Sequence, residues 1–188
     1  NKEIIFIPGG FSFGDYLRTG AHATKSPAIR EVINLSKKGV PIIGICNGFQ
    51  ILTECKLLEG TLIDNSNQLF TCKECFLKIE NNDSVFTKSI KKEVVQFPIA
   101  HAQGNFYTSN ENLKSLEDNN QVVFRYSSPN GKIDKNNNPN GSLNNIAGIV
   151  NKEKNILGLM PHPERAVNIF DGEDQDGILF FQGLKNLI

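Results

Sequence analysis

Apolar residues in this chain fall in short unbroken runs. Residues 4–7, 40–45, 122–124, 146–150 and 156–160 are such runs. A strand covered on both faces has this pattern, because neither side of its pleat meets water. Residues 70–79 read as a further strand. Residues 26–38, 48–57 and 177–187 carry helical patterns, and residues 16–23 ahead of the first form a loop or short helix. Residues 132–145 are polar and Asn-rich and read as a loop. Strands alternating with helices predict an α/β fold, its sheet mostly parallel and flanked by helices on both faces. Sites in such sheets lie beyond the carboxyl ends of the strands.

Three strand ends carry candidate chemistry. The run 40–45 ends in Gly44-Ile45-Cys46-Asn47-Gly48-Phe49-Gln50. A thiol at a strand-to-helix turn between two glycines follows the elbow logic of a hydrolase nucleophile, since the sharp turn leaves no room for bulk two residues to either side. The helix start favours negative charge, so a lowered Cys46 pKa is expected. The amide of Asn47 is placed to receive an oxyanion. Buried structural cysteines are common, so the motif alone leaves nucleophile and core thiol about evenly matched. The run 156–160 leads into Pro161-His162-Pro163-Glu164-Arg165. The prolines favour extended backbone, which puts His162 and Glu164 on one side. A Cys46–His162–Glu164 triad follows: nucleophile, base, orienter. The run 4–7 ends in Pro8-Gly9-Gly10, where the backbone can approach a ligand closely.

Together these segments resemble the class I, triad-type glutamine amidotransferases. Within that class, Pro8-Gly9-Gly10-Phe11-Ser12-Phe13-Gly14-Asp15-Tyr16-Leu17-Arg18, the Cys46 motif extended to Glu54, Met160 to Arg165, and Asn140-Gly141-Ser142-Leu143-Asn144-Asn145-Ile146-Ala147-Gly148-Ile149 are similar to the glutaminase subunits of phosphoribosylformylglycinamidine synthases. The resemblance implies a flavodoxin-like topology and hydrolysis of L-glutamine to glutamate and ammonia. The ammonia would pass to a synthetase subunit that uses ATP and magnesium to amidate formylglycinamide ribonucleotide in purine biosynthesis. A small accessory subunit is implied as a further partner, and no cofactor in this chain. Carried over, the amides of Gly10 and Asn47 form the oxyanion hole. Gln50 and the backbone of Ala102 and Gln103 bind the substrate. His101-Ala102-Gln103-Gly104-Asn105-Phe106 departs from the family pattern His-Gly-Glu-Gly-Arg-Phe, which puts in question any role of an acid or base there. Asp15, Tyr16 and Arg18, adjoining the glycine turn, are expected to dock the synthetase. The family's first β-α unit is expected to be missing ahead of residue 4.

The 188 residues fit one glutaminase domain, 1–188. Twenty basic and twenty acidic residues balance, with no basic stripe for nucleic acid and no apolar run long enough for a membrane span. Four cysteines without a disulfide pattern suit a reducing cytoplasm. Cys72-Lys73-Glu74-Cys75 lacks the second ligand pair that zinc requires, so these thiols read as structural and no metal is expected. His22 and His101 read as structural or substrate-adjacent. Two alternatives stay open: a triad amidotransferase serving another synthetase, and a non-catalytic flavodoxin-like binding module.

Overall fold

The computed structural model describes residues 3–10, 18–167 and 176–185. Its main sheet contains β1 (Ile5–Ile7), β2 (Ile42–Ile45), β4 (Thr71–Ile79), β5 (Val94–His101), β7 (Val122–Ser127), β8 (Ile146–Val150) and β9 (Ile156–Leu159). Their order in the sheet is β1-β2-β9-β8-β7-β4-β5. A small antiparallel sheet joins β3 (Thr61–Ile63) to β6 (Asn105–Tyr107). The helices are α1 (Pro27–Ser36), α2 (Asn47–Glu54), α3 (Asn110–Asp118) and α4 (Asp176–Leu184).

The α/β class is as expected, but the sheet is mixed. β1, β2 and β9 pair in parallel, whereas β9-β8, β8-β7, β7-β4 and β4-β5 are antiparallel. The parallel part is the part that carries the cysteine and histidine motifs. The continuous apolar runs lie there too: every residue of β2 and β9 is buried.

Glycines set how closely α2 approaches this sheet. A Cβ on Gly48 would come 2.0 Å from the carbonyl oxygen of Ile7, and one on Gly158 would come 2.1 Å from the Phe49 ring. A Cβ on Gly44 would meet Leu52 and the Gly48 carbonyl at 2.5 and 2.6 Å. At Gly48 backbone lies against backbone, whereas Gly158 makes room for the Phe49 and Leu58 side chains and Gly44 for Leu52 and the Gly48 carbonyl. On the opposite face, Phe180 and Phe181 of α4 meet Phe97 and Phe6, with ring centroids 6.2 and 6.1 Å apart. Helices therefore cover both faces.

Four elements were absent from the sequence reading. β5 contains Pro98, which lowers its strand signal, yet β5 is an edge strand where a missing N–H is tolerated. α3 is polar, with only Leu113 and Leu116 apolar, and is held at its start by the Ser109 hydroxyl accepting from the Asn112 amide at 3.2 Å. β3 and β6 have three residues each. The 132–145 loop contains two short 3-10 turns, Lys135–Asn137 and Leu143–Asn145. No helix among the described residues is long and apolar enough to cross a membrane.

Candidate active site

Cys46 sits between the end of β2 and the start of α2, at φ 51° and ψ −107°. This is left-handed backbone that a side chain rarely adopts, and such strain concentrates at functional turns. Hydrogen bonds hold it: the Cys46 amide donates to Leu159 O at 2.8 Å, and the Gln50 amide donates to Cys46 O at 3.2 Å. The thiol points toward Ala100 O, 3.8 Å away.

His162 follows β9 and its amide donates to Pro98 O of β5 at 2.8 Å. Its Nδ1 lies 2.5 Å from Glu164 Oε1. A carboxylate only accepts, so Nδ1 carries the proton and Nε2 presents a lone pair. That Nε2 is buried without a hydrogen-bond partner. A Cβ on Gly9 would stand 2.7 Å from the His162 ring and 3.4 Å from Cys46 Cβ. The glycine turn after β1 thus meets Cys46 and the imidazole together. Gly10, at φ 145°, is open to glycine alone and lines the same cavity as Cys46.

The lowered thiol pKa expected from the helix start is not found. Burial pushes the Cys46 thiol up to about 11, outweighing the Asn47 amide and Arg165, which pull it down. The resting group is the neutral thiol.

A cavity of about 400 Å³ opens over Cys46. Gly10, Gln50, Ala102, Gln103 and His162 line it, as expected, and so does His101. The sequence reading missed Thr19, Asp64, Phe70, Cys72 and Arg165 on its wall. Gln50 is a clasp: its Oε1 accepts from Asn47 Nδ2 at 3.0 Å and its Nε2 donates to Gln103 O at 2.6 Å. The Ala102 carbonyl is taken by the Asn65 amide at 2.8 Å. Cys72 and Cys75 lie three apart in β4, on opposite faces, so they do not act as a pair. Cys75 is buried and its thiol is pushed up to about 12, while Cys72 is exposed at the cavity.

A buried polar network props the far wall. His101 Nδ1 faces Asn65 Oδ1 at 3.1 Å, and Asn140 Nδ2 donates to Gly104 O at 2.7 Å and reaches His101 Nε2 at 3.5 Å. Ser142 Oγ accepts from the Phe106 amide at 3.0 Å. The Asn140–Ser142 motif therefore supports the 101–106 loop from behind. Burial holds His101 down to about 4. An unfolded histidine binds its proton near 6.5, so this ring stabilises the fold above pH 6.5 and the contribution is lost as pH falls toward 4. Between pH 7 and 4.5 the wild type should lose about 2 to 3 kcal/mol more than His101→Gln. Urea unfolding of both proteins at the two pH values measures the difference, and parallel losses would refute it.

Arg18 is exposed and pairs with Glu54 at 2.7 Å. Asp15, Tyr16 and Leu17 lie outside the described residues, as does Phe11 to Gly14.

Residues 1–176 match the model of the CobB/CobQ-like glutamine amidotransferase domain. The phosphoribosylformylglycinamidine synthase subunit PurQ of Pelagibacter ubique is 48% identical over 186 residues, covering 98% of this chain and 81% of the relative. Its counterpart in Chlorobaculum tepidum is 52% identical over 183 residues, covering 97% and 78%. The chain belongs to the PurQ family of glutamine amidotransferases. A PurQ-family architecture is seen directly in the structure of PurLQS from Thermotoga maritima, with a TM-score of 0.84 and 42% identity over 98% of this chain and 79% of that one. The glutaminase domain of Trypanosoma brucei CTPS, with bound acivicin, shares the fold at a TM-score of 0.56 and 14% identity.

Proposed function

We infer that this chain is the glutaminase subunit of a phosphoribosylformylglycinamidine synthase, supplying ammonia to a synthetase subunit in purine biosynthesis. Its kinship with PurQ proteins at 48–52% identity carries the assignment and sets aside an amidotransferase for a different synthetase. The catalytic roles rest on the site. L-Glutamine enters the cavity with its side-chain amide over Cys46. The Cys46 proton passes to His162 Nε2, whose opposite nitrogen is held by Glu164. The sulfur attacks the amide carbon, and the amides of Gly10 and Asn47 receive the developing oxyanion. His162 returns the proton to the leaving nitrogen, ammonia departs, and a thioester remains. Water, activated by the same imidazole, then releases glutamate. Gln50 holds the Gln103 loop in place for substrate. The partner synthetase uses ATP and magnesium, a small accessory subunit completes the assembly, and the complex is cytoplasmic. Arg18, with Asp15 and Tyr16, belongs to the surface that meets the synthetase.

The unpaired Nε2 of His162 beside a buried thiol is the observation that favours an enzyme over a binding module. The test is labelling with a glutamine-like electrophile. One equivalent should bind at Cys46, and excess glutamine should protect it. Absent or unprotected labelling would leave a binding module.

A further inference from the structure

Two side-chain amides, of Gln103 and Asn105, converge on one residue. Gln103 Nε2 donates to Asp64 Oδ1 at 2.9 Å, and Asn105 Nδ2 donates to Asp64 O at 3.3 Å. Both donors are neutral amides, and both bind residue 64. Asp64 is exposed, follows β3 directly, and is the only carboxylate among the described residues that line the Cys46 cavity. A glutamate at position 103 would set two carboxylates against each other, whereas Gln103 orients one. The negative charge of this wall is thus carried by residue 64.

We propose that Asp64 is the specificity residue that receives the α-ammonium group of the substrate amino acid, with Gln103 as its positioning residue. The assignment rests on the glutaminase reading of this site. With its side-chain amide at Cys46, glutamine directs its amino-acid end toward the wall that Ala102, Gln103 and Asp64 share. An ammonium group there meets a carboxylate that already has one oxygen fixed by an amide donor. A charge-assisted contact of this kind separates glutamine from an amide of the same length without the amino group.

The experiment uses the chain assembled with its synthetase and reads ammonia release from L-glutamine and from the des-amino analogue 4-carbamoylbutanoate. Wild type should prefer glutamine. Asp64→Asn, whose amide oxygen can still accept from Gln103, should raise the glutamine KM on the order of 10- to 100-fold with kcat nearly unchanged, and leave the analogue's KM as it was. Asp64→Asn combined with Gln103→Glu restores a carboxylate on the same wall and should recover most of the glutamine KM. An unchanged KM in Asp64→Asn, an equal rise for both substrates, or a loss confined to kcat overturns the proposal. So does a double variant no better than the single one, since the defect would then lie in the loop's shape. A wild-type complex that releases no ammonia from glutamine would instead overturn the glutaminase reading itself.

Discussion

Cys46→Ala should abolish glutamine-dependent synthesis by the assembled complex and leave synthesis from added ammonia at the wild-type rate. Only glutamine hydrolysis requires the sulfur, and the amidation belongs to the partner. The loss should be on the order of a millionfold in glutamine turnover, the scale seen when a hydrolase triad loses its nucleophile. The side chain is small and the site open, so an alanine at this strained turn keeps α2 and β2 in place. Measuring product from glutamine and from ammonium chloride in parallel checks both halves. Equal loss of the two activities in an intact complex would contradict the assignment of Cys46.

His162→Ala should cost nearly as much, at least about four orders of magnitude in glutamate release. The argument turns on the buried thiol. A nucleophile already ionised would attack without help, but one held near 11 must surrender its proton to a base. With His162 absent, only hydroxide can take that proton. The residual rate should therefore climb about tenfold per pH unit from neutrality toward pH 10, whereas wild type should not show that slope. Glu164→Gln should be milder than His162→Ala, because it disturbs the ring's orientation and tautomer and leaves Nε2 in place. Wild-type turnover in His162→Ala would remove histidine from the mechanism.

The part of the fold legible in the sequence is the part buried on both faces. Ile42 to Ile45 and Ile156 to Leu159 announce themselves because every position is apolar. The antiparallel half is harder to read. Pro98 disguises an edge strand, and α3 offers only two apolar positions to a tertiary contact. Direction of pairing leaves little mark on a run such as Ile146 to Val150, which joins the parallel part to the antiparallel part. The proposed triad is legible because glycines and prolines punctuate its segments. Asp64 and Phe70 are not, since folding brings them to the cavity wall from a segment whose local pattern says nothing of substrate. The thiol's pKa was misread for a related reason. A helix start is visible in sequence, but the depth at which it lies is not, and depth wins.

The three glycines where α2 meets the sheet bear on how this protein can change over time. At Gly48 main chain meets main chain, and at Gly44 and Gly158 the Leu52 and Phe49 side chains press in, each at a separation where no methyl group fits. The elbow is located by close contacts that leave these positions no room for a side chain. Leucine, isoleucine and phenylalanine elsewhere in the core can be exchanged and repacked by descendants without relocating the sulfur. The glycines have no such freedom, and any lineage that substitutes one must first move a helix. Tolerated change is thereby steered away from the elbow and toward its surroundings, where Asp64 and Gln103 sit.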